Sequence, residues 1–199
     1  MNTKNLTVEP LAKLTFAVCC LIQIILIIVF WDVKQTSDPE VYIKLAEDCH
    51  SAGEWYPQAK DLYSIYYVAP GLINFFILQL KLFGTVQVNM IFNLLMAVGI
   101  SYFIFKIAEY YFTRKTAFVA LALWSMMYST WMSVLAAQTE VPFLFLTLAA
   151  FYIALYKDRW YWFLLAGILL SFANWIRPLV IVFLPVILLA MAFRKMGGG

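Results

Sequence analysis

Long apolar runs recur from one end of this chain to the other, and they restrict it to very few folds. Residues 11–31 form one run of about 21 residues, or roughly 31 Å of helix, enough to cross the hydrocarbon core of a bilayer. Further runs cover 86–108, 116–137, 141–156, 160–176 and 179–193, the last three near the lower length limit for a crossing. Their recurrence excludes a single cleaved signal peptide. With 64% hydrophobic and 13% charged residues, the chain lies far outside the range of soluble domains. The expected fold is all-α: a polytopic helical membrane protein forming a single membrane domain over residues 1–199.

Residues 32–85 interrupt this pattern and hold most of the acidic side chains. Within them Asp38-Pro39 reads as a helix start, with Asp38 as the N-cap and proline in the first turn. Val41, Tyr42, Leu45, Ala46 and Cys49 then share one side of a 3.6-residue period, with Glu40, Lys44, Glu47, Asp48 and Ser51 on the other. Gly53 is placed to end the helix. The expectation is a short amphipathic helix at a water boundary.

Residues 68–83 resemble a further span, but three features argue against a crossing. Pro70-Gly71 breaks the run near its start, Gln79 and Lys81 lie inside it, and the remaining helix reaches only roughly 20 Å. Charge decides the matter. If the segment is interfacial or re-entrant, the basic clusters Lys4 with Lys13, Lys106 with Arg114 and Lys115, Lys157 with Arg159, and Arg194 with Lys195 all fall on one side, as cytoplasmic loops require. About six crossings result, with both termini cytoplasmic. The acidic loop, Gln138-Thr139-Glu140 and Arg177-Pro178 then emerge together on the outer face.

Asp38 is the first candidate for chemistry, since a fixed carboxylate at the mouth of an apolar cavity suits a general base. Glu140 opens a span beside a positive helix end, where first-turn stabilisation also accounts for it. Arg177 stands between two apolar runs with no acid near it in sequence; it either snorkels beside Trp175 or faces a partner, and a guanidinium fits a phosphate. His50 reads as a solvated side chain. Asn89 and Asn93 share a face one turn apart, which points to hydrogen bonding between helices. Cys19, Cys20 and Cys49 form no disulfide or zinc framework.

The order of these features resembles the superfamily C glycosyltransferases, polytopic enzymes that use lipid-phosphate-linked sugars, and in particular the bacterial members akin to protein mannosyltransferases and aminoarabinose transferases. The resemblance is carried by Ser37-Asp38-x-x-x-Tyr42-x-x-x-Ala46 after the first span, Pro70-Gly71 opening a short helix, Phe83-Gly84, Thr139-Glu140 opening a span, and Gly167 through Arg177-Pro178. It implies an inverting transfer of a sugar from a polyprenyl-phosphate donor to a lipid, protein or glycan acceptor, at the outer face of a bacterial inner membrane. Asp38 and Glu140 match the family's two external acids, and interfacial helices in the first loop are a family feature. Arg177 is then the contact for the donor phosphate, and Tyr42 a further substrate contact. Glu140 orients the acceptor or helps to hold a divalent cation; no other cofactor and no nucleic acid is implied. Such enzymes usually continue through more spans, so the chain reads as an N-terminal portion. A transporter or channel, or a non-catalytic membrane subunit, is the alternative; no internal repeat favours the former.

Overall fold

The structure, a computed structural model, describes residues 8–56 and 70–196, with side chains described as far as residue 189. Lys4, the stretch 57–69 and the side chains of Arg194 and Lys195 lie outside the described residues. Among those described there are helices and no strands: α1 (Val8–Val29), α2 (Asp38–Ser51), α3 (Pro70–Phe83), α4 (Asn89–Tyr111), α5 (Arg114–Met126), α6 (Tyr128–Leu135), α7 (Glu140–Tyr156), α8 (Trp160–Ile176) and α9 (Val180–Met196). By length and composition α1 and α4 each suffice to cross a membrane, and the bent pair α5–α6 makes a third such element. α3, α7, α8 and the described part of α9 are shorter apolar helices. The chain is an integral membrane protein of helical type.

Side-chain contacts fix the directions of the helices. Val8, Ala12 and Phe16 pack on Phe105, Phe118 and Leu121, while Ile27 at the far end of α1 packs on Met90 and Val134. So α1 runs alongside α5–α6 and opposite to α4. Phe103 stacks on both Phe145 and Tyr152, and the hydroxyl of Tyr156 donates to the Lys106 carbonyl at 2.8 Å, which makes α4 and α7 parallel. Phe143 meets Ala173 and Ala150 meets Ala166, so α8 returns antiparallel to α7.

One end of the bundle is consequently basic. Glu9 bridges Lys13 at 2.7 Å and Arg114 at 3.5 Å, Lys106 pairs with Glu109, and Lys157 lies over the Trp162 ring. The opposite end carries α2 and α3. Gly71, in the first turn of α3, abuts the backbone of Trp175 and Ile176 at the end of α8, and Phe83, in its last turn, stacks near Phe92 at the start of α4. Since α8 ends where α4 begins, α3 starts and finishes at one end of the bundle. Its Leu72, Ile73, Phe76 and Ile77 are fully buried against α2 and the loops beneath.

Two expectations are corrected. Residues 116–137 are not one straight helix: the chain leaves α5 at Met127, whose backbone is extended (φ −66°, ψ 124°), and α6 departs at 54°. No proline or glycine marks the break, but a series of hydrogen-bonding side chains does. Trp131 Nε1 donates to the Ser125 carbonyl at 2.7 Å, and the Thr130 hydroxyl to the Trp124 carbonyl at 3.3 Å. At the other end of α6, Asn93 Nδ2 reaches the carbonyls of Ser133, Val134 and Ala136, at 3.3, 3.4 and 2.9 Å. Without water in a bilayer core, carbonyls freed by a break must find such partners. The shared face of Asn89 and Asn93 does hydrogen-bond between helices, as expected.

The second correction concerns Asp38. It is the first residue of α2, and the N-cap position belongs to Ser37, which has φ 63° and makes no side-chain capping bond. Pro39 fills the first turn as expected, and Gly53 ends the helix region at φ 75°.

Asn93 is 1% exposed and holds three carbonyls of a broken span. Replacing it by leucine should cost about 1–3 kcal/mol, the penalty for buried polar groups left unpaired. Thermal unfolding of the reconstituted protein would register this as a clear drop in midpoint, whereas an unchanged midpoint would contradict the role assigned to Asn93.

Candidate functional site

The acidic end of the bundle gathers side chains from four separate segments. The α6–α7 linker is the first. Gln35, in the α1–α2 linker, donates from Nε2 to the Leu135 carbonyl at 3.0 Å and accepts the Ala137 N–H on Oε1 at 3.3 Å. A carboxamide here substitutes for a strand of backbone, tying the two linkers together and setting where Thr139 and Glu140 emerge.

Arg177 comes from the end of α8. The residue before a proline is driven out of the helical region, and Arg177, preceding Pro178, is extended at φ −146°, ψ 119° while its N–H still closes the helix on Ala173 at 2.8 Å. Its Nη1 pairs with Glu140 Oε1 and lies 3.3 Å from the Thr139 hydroxyl, which in turn donates to Glu140 Oε2 at 3.4 Å. Both charged side chains remain partly exposed, 37% for Arg177 and 52% for Glu140. An ion pair that wet contributes about 0–1 kcal/mol to stability. Its main effect is to hold a guanidinium at a fixed place.

Asp38 and Tyr42 arrive from α2, one turn apart. Tyr42 is half-buried, and its phenol is pushed above the ordinary tyrosine range, first by burial and then by the Asp38 and Glu140 carboxylates, with Arg177 opposing them. That one phenol senses all three charges puts them in a common field. Glu140 and Arg177 are in contact. Asp38 is exposed and has no hydrogen bond or ion pair of its side chain among the described residues.

Beside these groups lies an apolar cavity of about 590 Å³, walled by Trp55, Phe75, Leu78, Phe145, Phe172 and Trp175. Pro142 and Ile176, neighbours of Glu140 and Arg177 in sequence, also line it. Gly71 shapes it: a Cβ there would lie 2.9 Å from the backbone of Trp175 and Ile176, so any other residue would lever α3 off the end of α8. Lys81 stands 4.1 Å over the Trp55 ring at the rim. An apolar cavity bordered by the helices at 38–52 and 71–83 is expected from the sequence, and α3 does line this one while no residue of α2 does. Sequence reasoning missed its aromatic walls and Asn74, whose carboxamide accepts the Tyr56 N–H at 2.9 Å and donates to the Tyr56 carbonyl. An asparagine within an otherwise apolar run was the available signal. His50 also departs from the solvated reading: its Nδ1 is enclosed and has no partner among the described residues.

The donor set does not fit a divalent cation. Glu140 is engaged by Arg177, Asp38 stands alone, and no three metal-ligating side chains cluster among the described residues, whereas hard cations take six or more oxygens.

Comparison with known proteins is consistent with this geometry. The family model described as dolichyl-phosphate-mannose-protein mannosyltransferase matches residues 68–198, well over half of the chain, a region that includes Glu140 and Arg177 but not Asp38 and Tyr42. No curated protein and no solved structure matches. The chain belongs to the dolichyl-phosphate-mannose-protein mannosyltransferase family, membrane glycosyltransferases of the superfamily C type.

Proposed function

We propose that the acidic end transfers a sugar from a polyprenyl-phosphate-linked donor to an acceptor nucleophile, inverting the anomeric carbon. The observation that carries this reading is the Glu140–Arg177 pair standing beside a large apolar cavity. Such a donor has two contrasting parts: a hydrocarbon tail, which suits the aromatic and aliphatic walls, and a phosphate, which suits a guanidinium. Seating the first few prenyl units in the cavity brings the phosphate to its edge, where Ile176 is followed by Arg177.

The charges suggest the course of transfer. The acceptor oxygen or nitrogen bonds to the anomeric carbon from the face opposite the phosphate. The bond from that carbon to the phosphate oxygen breaks, its electron pair leaves with the lipid phosphate, and the acceptor proton passes to Asp38. Arg177 stabilises the charge growing on the departing phosphate, and Glu140 holds Arg177 in position. Tyr42, kept in its neutral phenol form, donates a hydrogen bond to the sugar or the phosphate. We place the basic end in the cytoplasm of a bacterial inner membrane on the strength of the positive-inside rule, so that the site faces the periplasm.

Replacing Asp38 by Asn removes the proton acceptor and should lower transfer of labelled sugar from a lipid extract by about 10²–10⁴-fold; near-normal turnover would exclude the base role. Arg177→Ala should slow transfer while leaving retention of the lipid tail largely intact, a split visible as a fall in kcat larger than the rise in KM. The tyrosinate absorbance lost on Tyr42→Phe should titrate above the ordinary tyrosine range. Glu140→Gln should shift that titration down, since one of the charges holding the phenol neutral is gone; no movement would place Tyr42 outside the site.

A further inference from the structure

A second hollow, of about 570 Å³, lies on the reverse face of α2, between the α1–α2 linker and the α3–α4 turn. We propose that it is a saccharide site, and that the acceptor is a hydroxyl-rich glycan lodged there. Calling its occupant the acceptor rests on the transfer reading above; the binding of a saccharide does not.

The rim of the hollow is acidic and uncommitted. Asp32, Glu40, Glu47 and Asp48 face only Lys34 and Lys44, and none of the six forms an ion pair among the described residues. An acidic rim alone would be a solvated surface. The floor differs. Asn89 lines the hollow at 4% exposed, accepts one hydrogen bond on Oδ1 from Gln79 Nε2 at 3.4 Å, and has no acceptor for its Nδ2 among the described residues. Behind it Gln79, 1% exposed, leaves Oε1 without a partner among the described residues. Buried carboxamides are normally satisfied; the Gln79 oxygen lies outside the lining of the hollow, so the free capacity that a ligand there can take up is the Asn89 Nδ2 donor.

The combination selects the ligand. A sugar hydroxyl both donates and accepts, and it matches a set in which carboxylates accept while a carboxamide and lysines donate. Met90, Leu135 and Ala137 offer apolar surface for the C–H face of the ring. An excess of carboxylates over lysines disfavours phosphate-bearing ligands, which separates this hollow from the side where Arg177 stands. One helix divides the two: Glu40 borders the hollow, and Asp38 begins the same turn on the transfer side. A glycan held here presents its terminal hydroxyl around the start of α2.

The test is ligand-observed saturation-transfer NMR on the full chain in nanodiscs, without donor lipid, using mannobiose, cellobiose and lactose, with glucose 1-phosphate and a Ser/Thr-rich peptide as comparisons. At least one neutral disaccharide should bind saturably, and Glu47→Gln and Asn89→Ala should each weaken it by about tenfold. Glu47 is exposed, so its variant reports on binding even if Asn89→Ala impairs folding. Absence of saturable binding by all three sugars, preference for glucose 1-phosphate or the peptide, or binding indifferent to Glu47→Gln would each overturn the proposal. Because no donor is present, a failure of the transfer reading leaves the result standing.

Discussion

Backbone amides inside a bilayer must find partners within the protein, and this constraint organises the molecule. Where the bent pair α5–α6 breaks at Met127, its carbonyls pass to Trp131 and Thr130; where α6 ends, they pass to Asn93 and Gln35. The break is thereby a stable feature with a consequence. It turns the chain so that the α6–α7 linker is fastened to the α1–α2 linker, and Thr139 and Glu140 come out beside the end of α8. A straight helix over the same residues would have no reason to place Glu140 within reach of Arg177.

The same constraint explains why α2 and α3 can lie at one end of the bundle. Asn74 satisfies both backbone groups of Tyr56 just where the chain leaves α2's turn, and Gly71 permits α3 to approach the end of α8 at backbone distance. The result is a pair of helices at one end of the bundle, with an apolar cavity on one side and a polar hollow on the other. Their contrast suits the lipid-linked donor proposed above. Arg177 lies on the apolar side, the excess of acid on the other.

Much of this is legible in the sequence because lipid imposes long runs and the basic residues impose sidedness. The apolar run 160–176 coincides with α8, Pro70 opens α3, and the facing pair Asn89 and Asn93 points to contacts between helices. What escapes has no local pattern. The break at Met127 lacks proline and glycine and shows only as a run of Ser125, Tyr128, Ser129, Thr130 and Ser133 inside a span. Asp38 reads as the cap because its carboxylate and Pro39 suit that position, whereas the chain enters α2 through a Ser37 of positive φ. The Glu140–Arg177 contact joins residues 37 apart, so topology alone could suggest their proximity, and the walls of the two cavities depend on tertiary packing that no periodicity encodes.

The central claim is that α2 and α3 belong to one end of the bundle, so that Asp38, Tyr42, Glu140 and Arg177 share a surface. It is tested most directly by side-specific labelling of single cysteines introduced at Lys34, Gly84 and Lys115, after replacement of the three native cysteines. The account predicts that an impermeant thiol reagent reaches positions 34 and 84 from the same side of sealed vesicles and position 115 only from the other. Labelling of positions 34 and 84 from opposite sides would mean that α3 crosses the membrane, and the shared surface would not exist.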